Sequence, residues 1–384
     1  MAQASSAKVF FNAESSVADL GLIIVPGAEE LGAKIDKHLL TWAAEAGIKK
    51  DTFIIPCDCP RFQSGDAKGL IRESVRGDDL YFVVDPGNYS LTYNLFGYEN
   101  HMSPDDHFAN LKRLIQAASG KGHRITVIMP NLYGGRQHRR TARESLDCAA
   151  ALQELQSIGV SNIITFDAHD PRMQNAVPLI GFDSVMPTYQ VLKCLLQHMP
   201  ELELDRDHFM AISPDEGAMT RNMYYSSVLG VNLGMFYKRR DYSRMVNGRN
   251  PIVAHEYLGE SVEGKTVFIS DDIISSGDSM LDIAYEMKRR GAKRVIANAT
   301  YPLFTNGLEA FDKAYEEGVI SAVLGTNLTY RTPELRSREW FFEVDVSKYI
   351  AYFIAAINHD LSVGVIIDPH EKIQQLLEQT GKNK

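Results

Sequence analysis

The segment Lys265 to Ser279, KTVFISDDIISSGDS, constrains the fold of this chain more than any other, because three local signals follow one another without a gap. Val267, Phe268 and Ile269 form a short apolar, β-favouring run of the kind that crosses the buried middle of a parallel sheet. Asp271 and Asp272 fall at the carboxyl end of that strand, and Ile273 to Ser279 read as a loop. Met280 to Gly291 reads as a helix with Leu281, Ala284 and Met287 on one face and Lys288, Arg289 and Arg290 in its last turn. Open α/β sheets bind ligands at the carboxyl ends of their strands. Backbone N–H groups around Ser275, Ser276 and Gly277, with the hydroxyls of Ser275, Ser276 and Ser279, suit a phosphate at the positive end of the helix. The two aspartates suit sugar hydroxyls or a hydrated Mg²⁺. The bland alternative is a capping box from Ser279 to Asp282 after an ordinary strand.

The remaining chain reads as two α/β halves. The first includes a strand at Arg124 to Pro130, a helix from about Glu144 to Gly159 with Leu146, Ala149, Ala150 and Leu155 inward, and a strand at Asn162 to Asp167. The second holds the opening motif and a strand from Arg294 to Ala299. Strand, helix, strand is the order of parallel sheets. The division expected is 1–188, 189–348 and a C-terminal helical segment, 349–384, with the boundary near Met186 to Pro200. Residues 85–107 and 328–341, rich in Gly, Asn, Pro and charge, read as long loops.

With 45% hydrophobic and 23% charged residues over 384 positions, two ordinary domains with substantial cores are expected. No apolar run approaches the roughly 20 residues that span a bilayer, and the N-terminus lacks a basic region followed by an apolar core. The expectation is a cytoplasmic protein without a membrane partner. A formal charge of −9 argues against a general nucleic-acid surface, while basic loops in an acidic chain suit a small anionic substrate. Cys57 and Cys59 are the one close pair of cysteines and have no second pair to complete a zinc site, so buried or idle thiols are expected.

The string ISDDIISSGDS resembles the phosphoribosyl-diphosphate loop of type I phosphoribosyltransferases and of ribose-phosphate diphosphokinases, and other segments favour the second. Arg61 to Asp66 with Arg72 to Gly77 resembles RFSDGE and ESVRG. Gly134 to Arg140 followed by Arg143-Glu144 resembles RQDRK and RE; Asp167-Ala168-His169 resembles DLH; Ser213 to Gly217 resembles SPDVG; Lys238-Arg239-Arg240 resembles KRR. These ordered matches imply two phosphoribosyltransferase-like domains, each with a mainly parallel sheet flanked by helices, and transfer of the diphosphoryl group of Mg-ATP to ribose 5-phosphate. In that resemblance Asp215, Asp271, Asp272, Ser275, Ser276, Gly277, Asp278 and Ser279 bind the sugar phosphate. Lys238 and Arg240 are catalytic. Phe62, Asp66, Arg136, Gln137 and His169 bind nucleotide, with Phe62 and Asp66 reaching it from a neighbouring subunit of a homo-oligomer. His169, Asp271 and Asp272 serve Mg²⁺.

The chain also departs from the pattern. DTGGT becomes Ser275 to Ser279 with an added carboxylate at Asp278, RQD becomes Arg136-Gln137-His138, DGE becomes Ser64-Gly65-Asp66, and the apolar pair after DLH is replaced by Asp170 to Met173. Another 5-phosphorylated ribosyl acceptor, a noncatalytic regulatory relative and a phosphoribosyltransferase are the other readings.

Overall fold

The computed structural model describes residues 16–240 and 252–382. Its strands up to residue 187 are β1 (Leu20–Ile24), β2 (Cys57–Asp58), β3 (Leu70–Ile71), β4 (Asp79–Val83), β5 (Thr92–Leu95), β6 (Tyr98–His101), β7 (Arg124–Ile128), β8 (Asn162–Phe166) and β9 (Gly181–Val185). Five of these form one parallel sheet in the order β1-β4-β7-β8-β9. Leu22 also bridges Ile54 in parallel. The chain therefore visits one side of β1 before crossing to β4 on the other, which leaves a crevice at the carboxyl ends where the order reverses. Strands β1 and β4 are buried along their whole lengths, as strands covered on both faces must be.

From residue 188 the strands are β10 (Phe209–Ser213), β11 (Asn232–Arg240), β12 (Ile252–Leu258), β13 (Thr266–Ile274), β14 (Arg294–Pro302), β15 (Ala322–Thr326) and β16 (Phe341–Val344). They form a second sheet in the order β12-β11-β10-β13-β14-β15-β16, in which only the β11–β12 pair is antiparallel. Its order reverses between β10 and β13, so a crevice opens beside the end of each. The helix Asp278–Arg289 packs Met280, Leu281, Ile283, Ala284 and Met287 into the core of this unit, including the three residues expected inward.

The two compact units interleave in sequence. The first takes Met1–Pro187 with Asn327–Tyr330 and Asp345–Asp368, and the second takes Thr188–Thr326, Arg331–Val344 and Pro369–Lys384. Within the first, Trp42 of the helix Glu29–Glu45 stacks on Tyr352 of the helix Ser347–Asn358, with ring centroids 4.5 Å apart. Asp79 fixes the start of β4. Its buried carboxylate accepts hydrogen bonds from Arg124 Nε and Nη2, both at 2.8 Å, from Tyr81 Oη at 2.6 Å and from Asn358 Nδ2 at 3.0 Å.

Several expectations need correction. Asp271 and Asp272 lie inside β13 rather than at its end, because the strand continues to pair with β14 as far as Ile274 and Pro302. The helix after the loop starts at Asp278, with Gly277 as its N-cap and no side-chain capping bond, so the Ser279 box is absent. In the helix Asp147–Ser157 the buried residues are Cys148, Ala151, Leu152 and Leu155, while Ala150 is exposed. The alanine run gives the sequence little contrast between faces. Residues 85–107 are not a plain loop but include the hairpin β5–β6, and 328–341 include the short helix Pro333–Arg336.

Replacing Asp79 with Ala leaves a half-buried guanidinium and a buried phenol and amide without their shared acceptor. The expected loss is about 3–5 kcal/mol in urea unfolding, against near-neutral effects for alanine at exposed Asp58.

Candidate active site

The carboxyl ends of β10 and β13 bring together three segments of the second unit. After β10, Ser213 Oγ donates to the Asp215 carbonyl at 2.7 Å, and Asp215 Oδ1 accepts from the Ala218 amide at 3.1 Å, just before the helix Met219–Leu229. Asp215 therefore also has the local turn-forming role expected of an aspartate in such a turn. The helix carries Arg221, whose Nη1 lies 3.5 Å from Asp271 Oδ1. Asn222, one residue on, is buried and donates to the Ser270 carbonyl at 2.8 Å, while Asn298 of β14 donates to Ser270 Oγ at 2.8 Å. Two amides thus hold the backbone and side chain immediately ahead of Asp271.

Asp272 is buried, and its amide donates to Asp271 Oδ1 at 2.9 Å. The Asp271 carboxyl is held well above the usual carboxylate range, first by burial and then by the Asp272 charge; Arg221 opposes the shift and Asp215 adds to it. The two adjacent acids repel one another, and Arg221, 3.5 Å from Asp271, offsets part of that repulsion. Their oxygen donors fit a hard divalent cation, which removes the like-charge repulsion that a proton otherwise relieves.

Beyond β13 the loop is only Ser275 to Gly277. Thr305 N donates to the Ser275 carbonyl at 2.8 Å and anchors its first residue. Gly277 has φ 91°, and a Cβ there would come within 2.3 Å of Phe311 Cε2, so both backbone and packing demand glycine. Ser275 and Ser276 are half-buried, and Asp278 and Ser279 are exposed in the helix's first turn. The added carboxylate at Asp278 thus meets water and the positive end of the helix rather than a buried site. Lys238 and Arg240 belong to β11, opposite His255 and Ile252 of β12; their side chains lie outside the described residues.

In the first unit, Asp167 ends β8 in the left-handed region at φ 45°, and its amide donates to the Val185 carbonyl at 2.8 Å. This turn exposes His169 beside His138, with ring centroids 5.2 Å apart. The loop bearing exposed Arg136 and Gln137 is therefore brought to the Asp167-Ala168-His169 turn. Burial lowers the His138 pKa, aided by His169 and opposed by Asp170. Asp170 is held down to about 2 by its hydrogen bonds with Arg172. Phe62 and Asp66 stand exposed on a separate turn, where Asp66 Oδ2 accepts from Ser64 Oγ at 2.8 Å.

Sequence reading missed Arg221, Asn222, Asn298 and His138 as members of these groups. Only the last carried a signal, as a substitution within a recognised motif. Glu203, Asp205 and His208 also gather ligand atoms within 4.8 Å of one another. His208 Nδ1 is already 2.9 Å from Asp205, which raises its pKa, and this exposed cluster has no link to the motifs.

The raised Asp271 acid sets a sign for pH dependence. Below the unfolded value of about 3.9 the group is protonated in both states; above it, the metal-free native state resists ionisation and loses stability as pH rises towards its higher folded pKa. Asp271→Asn is therefore expected to match the parent's Tm at the acid end and exceed it at pH 8, each gain of about 1 kcal/mol reading as roughly 2–4 °C. A lower Tm at pH 8 would contradict the assignment.

Residues 20–159 match the N-terminal domain of ribose phosphate pyrophosphokinase, and residues 195–324 match the phosphoribosyl transferase domain. Between them these matches span most of the chain. The ribose-phosphate pyrophosphokinase of Staphylococcus epidermidis is 26% identical over 315 residues, covering 81% of this chain and 89% of that protein. That of Thermosipho africanus is 24% identical over 339 residues, covering 88% and 94%. The crystal structure of phosphoribosylpyrophosphate synthetase from Mycobacterium smegmatis superposes with a TM-score of 0.70 at 21% identity, over 89% of this chain and 99% of that one, a likeness of fold. Two phosphoribosyltransferase-type units, joined in this order and carrying these motifs, make the chain a member of the ribose-phosphate pyrophosphokinase family.

Proposed function

We propose that the chain transfers the β,γ-diphosphoryl group of Mg-ATP to the anomeric hydroxyl of ribose 5-phosphate, giving 5-phosphoribosyl 1-diphosphate and AMP. The observation that carries this reading is the meeting of Asp271, Asp272, Asp215 and Arg221 beside the glycine-dependent loop at the start of the helix Asp278–Arg289. A phosphate cradle adjoining two neighbouring acids, Asp272 buried and Asp271 half-buried, suits a substrate that carries both a phosphate and sugar hydroxyls.

In this reading Ser275 to Ser279 hold the 5-phosphate, Asp271 and Asp272 orient the ribose hydroxyls, and Asp215 contributes from the facing turn. The anomeric oxygen forms a bond to the β-phosphorus as the bond from that phosphorus to the α-phosphate oxygen breaks, and the hydroxyl proton is released. Lys238 and Arg240 neutralise charge on the group in flight, where water exclusion makes cations most effective. Arg136, Gln137 and His169 hold the nucleotide, with Phe62 and Asp66 supplied by a second copy of the chain in a homo-oligomer. Asp271, Asp272 and His169 are the proposed holders of Mg²⁺, which would neutralise phosphate charge and stabilise the transferring group. No helix among the described residues is long and apolar enough to cross a membrane.

³¹P NMR of the protein with ATP, Mg²⁺ and ribose 5-phosphate is expected to show AMP and a sugar-linked diphosphate appearing together. ADP and a sugar monophosphate product, or an unchanged spectrum, would reject the reaction. Lys238→Ala should lower kcat by about 100-fold or more while changing the ribose 5-phosphate KM little, as for a group used in the transition state. Equal loss of both would remove Lys238 from that role.

A further inference from the structure

The hairpin β5–β6, within the segment 85–107, packs on the turn that bears Phe62 and Asp66. Its side chains alternate: Thr92 and Asn94 are exposed, whereas Tyr93 and Leu95 are half-buried on the opposite face. The Tyr93 ring lies beneath the Arg61 guanidinium, 4.0 Å from its centroid. Leu95 fills the space beside Gly65, where a Cβ would approach Leu95 Cδ1 to 2.7 Å. At the hairpin tip the Phe96 amide donates to the Gln63 carbonyl at 3.0 Å.

Arg61 joins these contacts to the rest of the unit. Its Nη1 donates to the Gly65 carbonyl at 3.0 Å and its Nη2 to Asp106 Oδ1 at 2.9 Å, while Asp106 completes a capping box with Ser103 at the helix Pro104–Ala118. Inside the turn, Phe62 N donates to the Asp66 carbonyl at 2.7 Å and Gly65 N to the Phe62 carbonyl at 2.9 Å. The hairpin therefore contacts Arg61, Gln63 and Gly65 of a single turn, yet leaves the Phe62 ring 56% exposed. The tip itself has φ 49° at Phe96 and 87° at Gly97, a primed turn in which Phe occupies a position that Asn usually takes.

A turn clamped at alternate residues, with its one aromatic left in water, is arranged to present that aromatic. We infer that the hairpin β5–β6 is a positioning device for nucleotide binding: Tyr93, Leu95 and the Phe96 amide hold the Arg61–Ala67 turn so that Phe62 and Asp66 meet the nucleotide without first being ordered. The inference rests on the proposed use of Phe62 and Asp66 in nucleotide binding. Preorganising a contact loop raises affinity by removing an ordering cost, and it leaves groups that act only in the transition state untouched.

The test compares Leu95→Ala, Tyr93→Leu and Tyr93→Phe with the parent in the intact protein. Hydrogen exchange at the Phe62 and Gly65 amides should quicken about tenfold in Leu95→Ala and Tyr93→Leu and stay at the parent rate in Tyr93→Phe, which keeps the ring under Arg61. The ATP KM should rise roughly five- to tenfold in the first two variants, with kcat and the ribose 5-phosphate KM within about twofold of the parent. Unchanged exchange overturns the brace, and quickened exchange with an unchanged ATP KM overturns its part in nucleotide binding. Should the parent form no AMP, the reaction itself fails; equilibrium dialysis with ATP then judges the inference, weaker binding in Leu95→Ala but not Tyr93→Phe supporting it and equal or absent binding overturning it.

Discussion

Two neighbouring carboxyl groups, one buried and one half-buried, are held side by side in one strand only if their surroundings are rigid and some positive charge answers them. That constraint organises the second unit of this protein. The strand bearing Asp271 and Asp272 is central, with β10 on one side and β14 on the other, and the residue before the pair is pinned by amides from a helix and from the neighbouring strand. Arg221 supplies part of the missing charge at 3.5 Å. The Asp271 carboxyl is still held above the usual range, first by burial and then by the Asp272 charge.

The loop that follows illustrates a second economy. Gly277 does two things at once, taking a positive φ that closes the strand-to-helix turn and leaving room for Phe311 of the core. The loop can thus be short without being loose: its first residue is tied back through Ser275 and its last is fixed by packing. Short, preorganised loops on a rigid sheet edge are how a fold of this kind keeps hydrogen-bond donors in place for an anion.

Much of this was legible because the motifs are local. A buried strand, two acids, a small-residue loop and a helix all declare themselves within Lys265 to Arg290, and Asp167-Ala168-His169 ends its strand as its apolar run implied. What escaped was set by contacts between distant residues. Arg221, Asn222 and Asn298 have nothing unusual beside them in sequence and meet β13 only through the sheet order. Strand β13 outran its apolar core because pairing with β14 carried it through polar residues. The hairpin β5–β6 hid because its turn is Phe96-Gly97 rather than Asn-Gly, and because one of its faces packs on a turn more than 25 residues earlier in the chain.

The interleaving of the units bears on how the chain is made. The first unit lacks the helix Ser347–Asn358 until the intervening second unit has largely been synthesised, and with it the Asn358 amide that completes the shell around Asp79. Its parallel sheet emerges from the ribosome early but must wait, with Trp42 uncovered by Tyr352, for a partner more than 300 residues downstream. In domain-by-domain folding during translation, the first unit thus gains its full set of contacts only after most of the second has been made. Completion of that half waits on residues 345–368, which directly precede the segment that finishes the second unit, so the two units are completed almost together.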